Sequence, residues 1–260
     1  MIGIKQYFFC LFFLKVLVIY SQTIEINYEQ SFQNSSINLY KKYDLVLTDS
    51  LSIYIERESK SGNKNEGNVY NQKTYNLELG NKMNSNVYVN KRDGFYFLET
   101  FFGQALEIKE DVFKNNWQMI DSTKYIANYE CKLATKEFRG RKFFVWYTNQ
   151  IPTTFGPWKL NGLDGLILEA RDSNSEFKLN ALKIKSIDAS TDTLYNALIN
   201  KINLLFENEK EILTIDELKE FIDNKNQIIL NRVKQQLPRG VSTPKLSSNC
   251  EECNDSLEKY

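Results

Sequence analysis

The side chains available for chemistry in this chain are carboxylates, lysines, tyrosines and cysteines, because the sequence contains no histidine. Histidine is the commonest general base and transition-metal ligand, so its absence removes several mechanisms together. Carboxylate pairs such as Glu169 and Asp172 lie just after a glycine-rich segment. Two carboxylates are enough for acid–base hydrolysis. A carboxylate-based hydrolase of the cell envelope is therefore one functional hypothesis, and loss of turnover in Glu169→Gln would support it.

The cysteines give a second candidate site. Cys250 and Cys253 have the spacing of a redox or metal pair, but the two glutamates between them should raise the thiol pKa values. A disulfide between these two, a disulfide from one of them to Cys131, a metal site and free thiols all stay open. Cys131 lies on a predicted strand, where a small buried residue is favoured over a nucleophile because no histidine can activate it. A metal site is the least favoured of these alternatives, and we predict no cofactor and no metal.

A glycine-rich segment past the middle of the chain is the most unusual local feature. Glycine permits backbone conformations closed to other residues, and proline fixes its own φ. The segment therefore predicts tight reversals that lead into a buried strand, while a contact surface for a ligand or partner stays open as the alternative. The glycine spacing fits neither a dinucleotide fingerprint nor a P-loop. The residues of interest are Gly156, Pro157, Gly162, Leu163, Asp164, Gly165, Leu166 and Ile167.

The elements that position these residues follow from the period of the apolar side chains. Short runs that alternate apolar and polar residues dominate from 23 to about 188, which is typical of an antiparallel sheet. The runs on both sides of 48–50, of 90–94 and of 139–141 predict three hairpins. Both faces of the strand 143–148 carry aromatic residues, so we expect cover on both faces from the C-terminal part. There the period changes to that of helices, and Thr214 to Glu217 has the spacing of a capping box. The predicted fold class is α+β, a mainly antiparallel sheet of roughly seven to ten strands with C-terminal helices packed on it. A curved, lipoprotein-carrier-like sheet is the nearest architecture.

The predicted organisation has four parts. Residues 1–22 resemble a signal peptide, with an uncleaved anchor as the alternative because Lys15 interrupts the apolar run. Residues 23–190 form the β-rich domain, 191–237 form helices packed on it, and 238–260 form a flexible tail. The formal net charge is zero, so binding to nucleic acid is not expected. We expect export to the periplasm, to the outer membrane or out of the cell, with no transmembrane segment after signal removal.

A family resemblance rests on the same glycine-rich segment. The run from Gly162 to Ile167, preceded by Gly156 and Pro157, resembles the defining motif of the GLPGLI family of exported Bacteroidetes proteins. The spacing of Trp117, of 126–131, of 138–141 and of 146–148 is similar to that family, whereas Asp164 stands where the family usually has proline. The resemblance implies export and a β-rich fold, with no established activity, cofactor or catalytic residue.

The leading functional expectation is consequently a non-enzymatic binding or interaction protein of the envelope. Its motivation is the aromatic richness of 95–102 and 143–147, which suggests an apolar ligand or an outer-membrane partner. The hydrolase hypothesis is the alternative.

Overall fold

The structure is a computed structural model, and it describes residues 23–33, 38–61, 86–91, 93–111, 116–188, 191–206 and 212–236. The predictions for the signal peptide at 1–22, for Cys250 and Cys253 and for the tail at 238–260 lie outside the described residues. Within these ranges, no helix is long and apolar enough to cross a membrane.

The described strands form one sheet. In chain order they are β1 (Thr23–Gln33), β2 (Asn38–Leu47), β3 (Leu51–Ser61), β4 (Val87–Lys91), β5 (Gly94–Phe101), β6 (Gln104–Glu110), β7 (Gln118–Ile126), β8 (Tyr129–Phe138), β9 (Arg141–Thr148), β10 (Leu166–Asp172), β11 (Phe177–Ile187) and β12 (Leu213–Thr214). Their order across the 12-stranded sheet is β12-β6-β5-β4-β3-β2-β1-β11-β10-β9-β8-β7. The pairs are antiparallel except β12 with β6, which is parallel. A mainly antiparallel, sheet-rich fold is thus confirmed, with more strands than the sequence predicts.

The three hairpins predicted from alternation are present. They are β2/β3, β4/β5 and β8/β9. In the first, Thr48 Oγ1 accepts hydrogen bonds from the backbone N–H groups of Ser50 and Leu51, so a side chain stabilises the predicted turn.

Alternation along the strands divides the apolar residues between two clusters. The larger cluster takes Tyr28, Leu45 and Phe143 on one side of the sheet, which we call the inner face. The smaller cluster takes the alternate residues Val46 and Ile53 on the other side, which we call the outer face. Because side chains of a strand point alternately to opposite sides, both faces of β2 and β3 are buried.

Two helices follow the sheet. Helix α1 (Thr193–Leu205) is capped by Asp192, whose carboxylate accepts from Tyr195 N at 2.9 Å, and it buries Leu198 and Ile202 in the outer cluster. Helix α2 (Ile215–Gln236) begins at the predicted capping box, where Glu217 Oε2 accepts from Thr214 N at 2.7 Å. The helix extends through 227–236 without a break.

Within the described residues, the two helices pack mainly on strands other than β9. Helix α1 packs over β2 to β5, and α2 contacts β6 and β12. Phe144 and Trp146 are half-buried, and the charged groups of basic side chains lie over their rings. Such cation–π contacts stabilise exposed aromatic rings modestly.

Candidate functional site

The glycine-rich segment forms a buried corner between β9 and β10. A Cβ on Gly156 would lie 1.8 Å from the carbonyl oxygen of Leu160, and one on Gly165 would lie 2.3 Å from the carbonyl oxygen of Thr148. Gly156 N–H donates to Asn161 Oδ1 at 2.8 Å, while Gly162 has a φ of +94°. These glycines are required because backbone approaches backbone at closer range than any side chain allows.

The other residues of the segment divide between the core and the surface. Pro157, Leu163, Leu166 and Ile167 are buried, and the carbonyl of Ile167 accepts a hydrogen bond from the Tyr28 hydroxyl. Asp164 is exposed, and its carbonyl accepts from the Asn149 side chain. The contact-surface role suggested for this segment stays a prediction.

The proposed pair Glu169 and Asp172 is not a pair. Glu169 lies opposite Trp146 on the outer face and contacts Lys124 Nζ at 2.6 Å. Asp172 is buried beside Phe143 and accepts from Arg141 Nη1 at 2.6 Å. The two carboxylates therefore point to opposite sides of β10 and cannot act on one substrate bond.

Cys131 is a buried free thiol on β8. Burial raises its pKa from the usual value, which keeps the thiol protonated and unreactive. Lys124 and Glu169 lie near it on the outer face, and their opposite charges act on the thiol in opposite directions.

A different pair of carboxylates lies on the inner face, among tyrosines. Glu56 is buried on β3, where its Oε2 accepts from Lys41 Nζ at 2.9 Å and from the Tyr43 hydroxyl at 3.4 Å. Glu99 is half-buried on β5, and its Oε1 accepts from the Tyr88 hydroxyl. We call Lys41, Tyr43, Glu56, Tyr88 and Glu99 the carboxylate cluster.

The charges of Glu56 and Glu99 both affect the pKa of the Tyr43 hydroxyl. Burial is the main cause that raises the pKa of Tyr43 well above its usual value, and the charges of Glu56 and then Glu99 raise it further. Tyr43 therefore stays a hydrogen-bond donor at any physiological pH. Its ring stacks on Tyr54 with centroids 4.4 Å apart, which holds the hydroxyl in place.

Sequence reasoning missed this cluster, although a signal exists. Tyr54 and Glu56 are two residues apart on β3 and therefore point to the same face, as do Phe97 and Glu99 on β5. A carboxylate on the face that carries the core aromatics is costly to bury unless it is paired, so such a position marks a candidate polar site.

Comparison with known proteins identifies the family. The model of the family described as N-glycanase peptide, N-terminal domain, matches residues 63–209, more than half of the chain. A structure titled "Structure of PNGF-II in C2 space group" is 19% identical with a TM-score of 0.48, covering 78% of this chain and 33% of that one. A second, titled "Structure of PNGF-II in P21 space group", is 18% identical with a TM-score of 0.43, covering 67% of this chain and 30% of that one. The chain thus spans about a third of the length of these structures. No curated protein matches it.

This result overturns two expectations. The GLPGLI resemblance is wrong, because the matching model, which includes the glycine-rich segment, is of another family. Gly156 and Gly165 are needed for a tight backbone corner, so their presence is no evidence of common ancestry with the GLPGLI family. A non-enzymatic binder of an apolar ligand or outer-membrane partner is likewise not supported by a family named for a glycanase. The chain belongs to the family of the N-glycanase peptide, N-terminal domain.

Proposed function

We propose that this chain works in the hydrolysis of N-linked glycans from glycoproteins. The family match supports a role that involves glycans. The carboxylate cluster is the observation that supports hydrolysis as the reaction. The chain spans about a third of the length of the solved structures that it is similar to, so both the activity and the glycoprotein substrate are proposals for this chain.

The carboxylate cluster has the groups that hydrolysis needs. The Glu56 carboxylate pairs with Lys41 Nζ at 2.9 Å, and a carboxylate can take a proton from water as a general base. The Tyr88 hydroxyl donates to Oε1 of Glu99, and this second carboxyl group is the candidate for proton exchange with the leaving group. Glu99 and Lys41 are half-buried, so the cluster borders solvent on one side and the core on the other.

We also infer that the sheet is curved, which would place this cluster at the rim of a concave inner face. Arg139, in the β8/β9 turn, forms an ion pair with Glu110 at the end of β6, although these strands lie near opposite ends of the sheet. Lys159 of the corner segment also lies 3.8 Å above the Phe97 ring of β5. Export through the leader predicted at 1–22 would bring the chain to glycoproteins outside the cytoplasm.

Glycan release from a glycoprotein with a single N-glycan tests the proposal, with mass spectrometry of both products. We expect release by the unmodified chain and a loss of about 10²-fold or more in kcat for Glu56→Gln and Glu99→Gln, because general acid–base groups contribute about 10²–10⁴. Glu130→Gln, at an exposed glutamate of β8, is the matched control and should keep full activity. Absence of release by the unmodified chain, or full activity in both variants, would refute the proposal. Thermal unfolding of each variant separates lost chemistry from lost folding.

A further inference from the structure

The outer face of β9, β10 and β11 carries an array of exposed and half-buried side chains. Trp146 lies opposite Glu169, which lies opposite Asn180, in one row across the strands. Phe144 lies opposite Arg171 in the neighbouring row. The aromatic rings are half-buried, whereas Arg171 and Asn180 are exposed. We call these five residues the aromatic face.

Among the described residues, the helices pack over the other half of the sheet, and basic side chains lie over these rings. Lys124 Nζ lies 4.5 Å from the Trp146 ring centroid and is held there by its 2.6 Å contact with Glu169. The Arg171 guanidinium lies 4.9 Å from the Phe144 ring centroid. Cation–π contacts at exposed sites are worth about 0.5–1 kcal/mol each. A ligand that stacks on the rings can therefore displace these cations at small cost.

The chemistry of the aromatic face fits a carbohydrate. A sugar ring has an apolar C–H face that can pack on an aromatic plane, and a rim of hydroxyls that need both donors and acceptors. Glu169 supplies acceptors, Arg171 supplies donors and Asn180 supplies both. Lys124 is neutralised by Glu169, but Arg171 and Lys142 leave the face basic, so a polyanion is the competing ligand that the binding test must exclude.

We propose that the aromatic face is a carbohydrate-binding surface that holds a glycan of the substrate. The choice of a glycan as the ligand rests on the proposed function. The inference adds a second contact between the chain and its substrate, away from the carboxylate cluster. Trp146 alternates with the core residues Val145 and Tyr147, whereas Glu56 lies opposite the core residue Tyr43, so the two sites occupy opposite faces of the sheet. The aromatic face is therefore a positioning site that helps hold glycoproteins bearing several glycans.

Direct binding is the first test, with a free high-mannose oligosaccharide as the probe and tryptophan fluorescence as the readout. We expect saturable binding of the oligosaccharide to the full chain. Trp146→Ala should lose at least tenfold in affinity, measured by calorimetry because the fluorescent residue is removed. Asn180→Ala should lose at least tenfold in affinity, measured by fluorescence or by calorimetry. Tyr125→Ala, which removes a 75% exposed aromatic residue of β7, is the matched control and should bind normally. Asn180 is exposed, so its variant keeps the test valid should the tryptophan variant unfold. Equal affinity in all variants, or tighter binding of a heparin fragment than of the oligosaccharide, would overturn the proposal.

A kinetic comparison separates this inference from the proposed function. Trp146→Ala should raise the KM for a glycoprotein with several glycans and leave kcat on a short glycopeptide unchanged. Glu99→Gln should lower kcat on both substrates and leave oligosaccharide binding unchanged. Binding without hydrolysis would refute the proposed function alone, whereas hydrolysis with no effect of Trp146→Ala on binding or KM would refute the aromatic face alone.

Discussion

Replacement of Gly165 by alanine should be among the most damaging single-methyl changes in this chain. The new Cβ would lie 2.3 Å from the Thr148 carbonyl oxygen and 2.7 Å from its carbonyl carbon. Non-bonded carbon atoms prefer separations of about 3.5–4.0 Å, so the backbone of β9 or β10 must move. Thr148 pairs with Leu166 in the ladder between these strands, and that pairing would be disturbed.

The magnitude follows from the rigidity of the contact. Overpacking of a well-packed core typically costs about 1–3 kcal/mol, and both atoms here belong to backbone that no rotamer change can move. We expect a loss of about 3 kcal/mol in the free energy of unfolding. For a domain of this size, 1 kcal/mol shifts Tm by about 2–4 °C, which gives a fall of about 6–12 °C.

The control is Gly94→Ala, whose new Cβ would lie 3.2 Å from Cε of the flexible Lys109 side chain. That side chain can move, so we expect a change of less than about 1 kcal/mol. Urea unfolding and calorimetry of both variants measure the difference. Equal stability of Gly165→Ala and Gly94→Ala would show that the corner is not the rigid feature described above.

Three further outcomes follow from other contacts. Arg141→Leu should destabilise the protein by about 3–5 kcal/mol in urea unfolding because it leaves buried Asp172 without its 2.6 Å ion pair, and Lys132→Leu at an exposed site should not. The thiol of Cys131 should resist alkylation at pH 8 in the native protein and react in urea, because burial raises its pKa; mass spectrometry of the alkylated peptide decides. The pKa of Glu217 is lowered chiefly by the hydrogen bond from Thr214 N, so its contribution is present above the unfolded-state pKa and is lost as pH falls through the folded-state pKa. The Tm difference between the unmodified chain and Glu217→Gln should accordingly be larger at pH 7 than at pH 3.

Local patterns predicted the local structure well. The alternation on both sides of 48–50, the turn before Gly94 and the spacing from Thr214 to Glu217 each depend on a few neighbouring residues, and each is confirmed. Strand β7 escaped prediction because all its residues are exposed or half-buried, so no buried apolar side alternates with a polar one.

Non-local sites were beyond the same reasoning. Glu56 and Glu99 meet Tyr43 only because β3, β4 and β5 pair in a particular register, and that register is set by strands far apart in sequence. The proposed pair Glu169 and Asp172 shows the opposite error. Two residues that are three positions apart on a strand point to opposite faces of the sheet. The short spacing of Glu169 and Asp172 therefore excludes a contact between their carboxylates.

One sheet can serve both proposed sites because its faces offer different environments. Acid–base groups gain from a low local dielectric, which the inner face supplies around Glu56 through buried tyrosines. A glycan must reach its contacts from water, and the half-buried rings of Phe144 and Trp146 meet that need on the outer face. No residue of the carboxylate cluster belongs to the aromatic face, so substitutions in the two should act independently. The loss in kcat/KM of the double variant Glu99→Gln with Trp146→Ala should then equal the product of the two single losses. A marked departure from that product would mean that the two faces are coupled, and that the glycan held outside and the bond cleaved inside are positioned by one motion of the sheet.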